Sequence, residues 1–174
     1  DGKSTEGRLS AVVDVAEVVG AAEHEGEKVL DLTGQASKSE HLIVSLHLVS
    51  SNLAASSIKR LVLSDCCLSG VDADGRGQRS SVPCSLLGEL AGSPPLVDTL
   101  ASLNVAGNQL GSTELSTLFM GIRRARCLSS LVLSRNRIDH RAMAIITDIL
   151  VGFRTGGATD DAGAAAFAFG DEAT

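Results

Sequence analysis

The strongest constraint on this chain is a pattern that occurs twice in register. Leu100-Ala-Ser-Leu103-Asn-Val105-Ala-Gly-Asn108-Gln-Leu110 is followed by Leu128-Ser-Ser-Leu131-Val-Leu133-Ser-Arg-Asn136-Arg-Ile138, at an offset of 28 residues. Apolar residues at every second position are the mark of a short strand with one buried face. A period of this length leaves room for a full helix after each strand. One such unit cannot bury its own apolar side, so neighbouring units must stack. The expected fold is therefore α/β: a solenoid with short parallel strands on its concave side and helices on its convex side.

The same template fits Ile58-Lys-Arg-Leu61-Val-Leu63-Ser-Asp-Cys66-Cys-Leu68, with Cys66 at the Asn position and a step of 42 residues to Leu100. Most of the surplus falls in residues 70–83, a Gly-, Ser-, Asp- and Arg-rich stretch read as an inserted loop. A smaller part surrounds Gly92-Ser-Pro-Pro95, whose prolines would end a helix over residues 84–91. A degenerate unit centres on Val29-Leu30-Asp31-Leu32, with a helix expected near residues 39–53. Val12, Val13, Val15, Val18 and Val19 give residues 10–22 helical spacing. The expected organisation is a helix of a preceding repeat in 1–26, a stack of about four units in 27–154, and a Gly/Ala-rich disordered tail in 155–174. Leu115, Leu118, Phe119 and Ile122 mark one helical face, which recurs one unit later as Ala142, Ile145, Ile146, Ile149, Leu150 and Phe153, with Asp139 as N-cap.

With four Phe and no Trp or Tyr, the core has to be built from Leu, Ile, Val and Ala. The 15 basic residues are outnumbered by 21 acidic ones, and no basic stripe runs along the chain, so no nucleic-acid partner is expected. Asp14 and Glu17 interrupt residues 11–22, and no apolar run reaches the roughly 18 residues of a membrane helix, so no transmembrane span is expected. The sequence begins with Asp1 rather than Met. It therefore reads as an excerpt whose two ends stack against the remainder of its own chain. Cysteines at 66, 67, 84 and 127 have neither C-x-x-C spacing nor the density of a disulfide scaffold, which points to a reducing, cytoplasmic setting.

If the strand leucines point into the core, the residues between them face the concave side. The candidates for partner contact are Lys28, Asp31, Lys59, Arg60, Asp65, Asn104, Ser130 and Arg135, with Lys59, Arg60 and Arg135 as polar anchors on an otherwise small and neutral surface. No nucleophile, base and acid stand together, so no catalytic residue and no cofactor is expected. Cys66, Asn108 and Asn136 are read as a structural ladder, in which the side chain satisfies backbone groups of its own and the neighbouring unit. Cys66-Cys67 is a poor redox motif and lacks the second half of a metal site; Cys84 and Cys127 lie near apolar positions, so buried packing roles are expected. His24, His41, His47 and His140 stand singly and are read as solvated or helix-surface residues. Asp72-Ala-Asp74-Gly75-Arg-Gly77 resembles the start of a calcium loop, but Pro83 stands where the bidentate Glu is needed, which excludes that chemistry. Arg76-Gly-Gln-Arg79-Ser80-Ser81 reads as a basophilic kinase site, in which phosphate on Ser80 or Ser81 beside two arginines would order the loop.

The strand template, its 28-residue step and the full helices resemble the ribonuclease-inhibitor-like class of leucine-rich repeats over roughly residues 30–153. That resemblance implies the solenoid fold and leaves function open, since the class includes ribonuclease inhibitors, activators of the Ran GTPase, innate immune sensors and cytoskeletal adaptors. A narrower similarity, to the CARMIL actin-regulatory proteins, rests on three segments. They are Leu63-Ser-Asp-Cys-Cys-Leu68, then Ser102 to Leu110 running into Glu114-Leu-Ser-Thr-Leu118, and Leu131-Val-Leu-Ser-Arg-Asn136. It implies a cytoplasmic protein at the membrane–actin interface; the capping-protein-binding segment of that family lies outside the repeats, and nothing like it stands here. A Ran GTPase activator would carry an acidic run after the repeats, where this chain has Asp160-Asp161. The expected function is a non-enzymatic protein–protein interaction scaffold, a segment of a larger protein and a CARMIL-like actin or capping-protein regulator. The alternative is a GTPase-activator-like or innate-sensor-like regulator.

Overall fold

In the computed structural model, residues 23–24, 27–34, 42–44, 46–47, 58–71 and 78–155 are described. Five strands stand side by side in chain order: β1 (Glu23–His24), β2 (Glu27–Asp31), β3 (Ile58–Val62), β4 (Ser102–Asn104) and β5 (Ser130–Val132). β2 to β5 are mutually parallel, and β1 joins β2 antiparallel. Among the described residues the helices α1 (Val82–Ala91), α2 (Ser112–Ile122) and α3 (His140–Thr155) complete the class as α/β. A short 3-10 turn, Leu96–Asp98, lies between α1 and β4. Residues 42–44 and 46–47 are also helical, within the helix expected there. The helix expected over 10–22 and the tail expected over 156–174 lie outside the described residues.

Sequence steps of 42 and 28 residues both become zero in space. Leu61 pairs with Leu103 and Leu103 with Leu131, while Leu30 stands opposite Leu61. These four leucines, and Leu32, Leu63, Val105 and Leu133 two positions on, are buried in one core with Leu87, Leu90, Leu115, Leu118, Phe119, Ile122, Ala142 and Ile146 of the helices. The core therefore lies between one face of the sheet and the helices. Leu131 and Leu133 of β5 are buried as well.

The 42-residue step is accommodated because the insertion closes on itself. Gly70 N–H donates to Cys67 O at 2.9 Å, and Ser80 N–H donates to Ser69 O at 2.9 Å, so the ends of the insertion meet beside the preceding turn. Gly70 has φ +77°, and a Cβ there would lie 2.7 Å from Ser80 N, so only glycine allows this closure. α1 begins at Val82, two residues earlier than expected, with Pro83 in its first turn where no N–H donor is needed. It ends before Gly92, ahead of the two prolines.

α1 and α2 touch backbone to backbone. A Cβ on Gly121 would collide with the backbone of Gly88, and one on Gly88 would lie 2.9 Å from Leu118 O. Gly92 meets Gly121 O in the same way, at 2.7 Å.

The ladder is built as expected around Asn108. Its Oδ1 accepts from Cys66 N–H (2.9 Å) and Leu68 N–H (3.2 Å) of the preceding unit. Its Nδ2 donates to Leu63 O (2.7 Å), Val105 O (2.9 Å) and Ala106 O (2.9 Å). Asn136 repeats the scheme: Oδ1 accepts from Asn108 N–H and Leu110 N–H, and Nδ2 donates to Val105 O, Leu133 O and Ser134 O. Cys66 supplies the donating half, since its thiol reaches Leu32 O at 2.9 Å and Ser64 O at 3.3 Å. Asn108 is 1% exposed, whereas Asn136, in the unit of the edge strand, is half-buried. The residue before each ladder position is left-handed: Asp65, Gly107 and Arg135 have φ of 56°, 69° and 55°. This shared turn carries the strand pairing onward, with Asp65 N–H donating to Ala106 O and Gly107 N–H to Ser134 O.

One packing expectation is corrected. Cys84 is buried, but Cys127 is exposed, its thiol reaching Asp98 O at 3.2 Å. It precedes buried Leu128 at the end of the α2–β5 connection, on the outward side of the chain.

Candidate partner-binding face

The face of the sheet turned away from the helices is made of rows running across the strands. One row is Val29, Arg60, Ser102 and Ser130; the next toward the strand C-termini is Asp31, Val62, Asn104 and Val132. Lys59 and Arg60 are exposed on β3, and among the described residues no helix covers these rows. Lys28 stands on β2 opposite Ile58. Ser130 is half-buried in its row. The surface is thus mostly short-chained, with Lys59 and Arg60 side by side on β3.

Asp31, Asn104, Asp65 and Arg135, among the expected contact residues, use their side chains within the fold. Asp31 Oδ1 accepts from Thr33 N–H at 2.8 Å and from the Thr33 hydroxyl at 2.6 Å. Asn104, in the same row, accepts from Ala106 N–H at 3.0 Å. Each carboxyl or amide thereby ties the backbone two residues on, which holds the turn that follows the strand. Asp65 and Arg135 pair with each other, Arg135 Nη2 donating to Asp65 Oδ2 at 2.9 Å. They belong to the second and fourth units, and Gly107 of the third lies between them, where a Cβ would collide with Asp65 Oδ1. The polar anchor expected at Arg135 is therefore one end of a clasp over Gly107. Since both side chains are about half exposed, the clasp contributes at most about 1 kcal/mol.

A second feature lies on the edge where the strand-to-helix connections emerge. Arg79, Ser80, Ser81, Glu114, Arg137 and Asp139 contribute to the lining of a polar cavity of about 550 Å³. Arg79, on the return leg of the insertion, contacts Glu114 Oε1 at 3.2 Å and Gln109 O at 3.2 Å. Glu114 is buried, and its Oε2 accepts from Gly111 N–H at 2.9 Å, closing the first turn of α2. Arg137 donates to Gln109 Oε1 at 3.0 Å. Asp139 caps α3 as expected, accepting from Ala142 N–H at 2.8 Å. That hydrogen bond is the main reason its carboxyl is held below the ordinary aspartate range.

The spacing Gly111-Ser-Thr-Glu114 before an apolar run signals the cap made by Glu114. No sequence signal joins Arg79 to Glu114, because the contact depends on how the insertion closes. Cys84 is no nucleophile: burial first, and the nearby Glu114 second, push its thiol up to about 12. Among the described residues no group of His, Cys, Asp and Glu side chains is placed to hold a metal ion, and no helix is long and apolar enough to cross a membrane. No family model, curated protein or solved structure matches the chain.

Proposed function

We propose that the chain is a segment of a ribonuclease-inhibitor-like leucine-rich-repeat solenoid, and that it serves as a cytoplasmic, non-enzymatic scaffold holding another protein against the uncovered face of β3, β4 and β5. The observation that carries this reading is a parallel sheet with one face that no helix covers among the described residues. Parallel strands are ordinarily covered by helices on both faces; here the second face presents Arg60, Ser102 and Ser130 in one row. Short side chains let a partner's backbone approach closely, and Lys59 and Arg60 supply charge at the rim. A CARMIL-like actin or capping-protein partner is the narrower form of this reading and rests on the sequence resemblance alone.

A photo-crosslinking amino acid placed in turn at Ser102, at Ser130 and at Met120, which is 73% exposed on α2, tests the proposal in cells. The expected result is one protein captured from both strand positions, absent from Met120 and lost in the Lys59→Glu/Arg60→Glu variant. Equal capture from Met120, or none from the strands, would overturn it. Purified actin and capping protein, added to the same labelled chain, test the narrower form.

A further inference from the structure

We propose that Ser81 is a phosphorylation site and that Arg79 and Arg137 hold the phosphate. The two serines of the inserted loop are not equivalent. Ser80 is committed to the fold: its N–H donates to Ser69 O, its Oγ accepts from Val82 N–H at 3.2 Å, and its backbone is wedged against Gly70. Ser81 precedes α1 but makes no capping hydrogen bond with its side chain. It lines the polar cavity together with Arg79 and Arg137. Its surroundings are open to a kinase: Gln78, Arg79 and Val82 are exposed, and Val82 is 51% accessible. Arg76 and Arg79 upstream are the residue type that basophilic kinases read.

The two carboxylates of the cavity, Glu114 and Asp139, are each already engaged by a backbone N–H, and Glu114 also by Arg79. Arg137 is engaged by the neutral carboxamide of Gln109, which a phosphate of charge near −2 would outcompete. In the reaction the Ser81 Oγ attacks the γ-phosphorus of magnesium-bound ATP. The new O–P bond replaces the bond to ADP, which departs, and the hydroxyl proton passes to the kinase's base. The product ties the return leg of the insertion to Arg137, which lies after β5, so one modification would link the insertion to the last described unit.

The whole chain is incubated with the catalytic subunit of a basophilic kinase and magnesium-ATP, and the site is mapped by mass spectrometry. Phosphate on Ser81 is expected; no incorporation, or incorporation only at Ser80, overturns the assignment. A chain carrying genetically encoded phosphoserine at 81 is then titrated by phosphorus NMR, native and in urea. The second phosphate pKa is expected to lie at least about half a unit lower in the native chain than its ordinary value near 6. Arg137→Gln is expected to abolish most of that difference while leaving the circular dichroism spectrum unchanged. Identical titrations in the native and urea states, or a shift that survives Arg137→Gln, overturns the role given to the arginines.

Discussion

Among the described residues Asn108→Ala should be the most damaging single polar substitution, and the structure says by how much. The carboxamide makes five hydrogen bonds inside a turn that is 1% exposed at that residue. Two of the five acceptors and donors keep a second partner after truncation: Ala106 O still accepts from Asp65 N–H, and Val105 O from Asn136 Nδ2. The Cys66 N–H, Leu68 N–H and Leu63 O each lose their hydrogen bond to Asn108. Each buried group left without a partner costs about 1–3 kcal/mol, and water entering the space left by the amide recovers part of that, so a net loss of about 4 kcal/mol is expected. Against a typical total of about 5–15 kcal/mol, such a loss leaves the variant close to unfolding. Asn136→Ala should lose roughly half as much, because Asn136 is half-buried and water can reach the groups it serves. Urea denaturation followed by circular dichroism gives both values, and hydrogen exchange at the amides of 66 and 68 gives the local effect. If Asn108→Ala costs less than about 1 kcal/mol, or no more than Asn136→Ala, the ladder does not contribute as argued.

Three further outcomes follow from the geometry. Gly121→Ala would gain about 1 kcal/mol of helix propensity, but its Cβ would occupy the backbone of Gly88; separating the helices should make the net effect a loss of about 2 kcal/mol, read from the urea midpoint. Gly107→Ala should cost about 1–2 kcal/mol through its left-handed φ and should also displace Asp65. In that background Arg135→Ala should cost nothing more, whereas in the native chain it costs up to about 1 kcal/mol, so a double-mutant cycle in thermal melts checks the clasp. The folded-state pKa of Asp139 is depressed, so its stabilising effect is present above the ordinary aspartate value of about 3.8 and is lost as pH falls through the folded value. Asp139→Asn should therefore flatten the acid limb of the melting-temperature profile, and parallel profiles would remove the cap from the account.

Much of the architecture was legible because the pattern is periodic. Leu61, Leu103 and Leu131 are placed by the template alone, and the structure pairs them without a slip. Asn108 and Asn136 were legible as ladder residues for the same reason: a polar residue at a fixed place beside a buried strand has to serve backbone groups. The candidate face was legible only as a set of outward positions. Which of them stay available to a partner depended on neighbours that the template does not relate, as with Asp31 and Thr33, or Asp65 and Arg135 across Gly107. Cys127 was misplaced because proximity to Leu128 in sequence does not say on which side of the connection the side chain falls.

By itself, then, the sequence determined the α/β class, the register of β3, β4 and β5 and the composition of the core, because a local apolar period acts at every unit and each unit imposes the same burial. Tertiary structure alone decided the contacts between units: the backbone meeting of Gly88 with Gly121, the Asp65–Arg135 clasp, and the closure of the insertion that brings Arg79 to Glu114 and Ser81 into a cavity with Arg137. These contacts depend on distances set by stacking, which no periodicity within a single unit encodes.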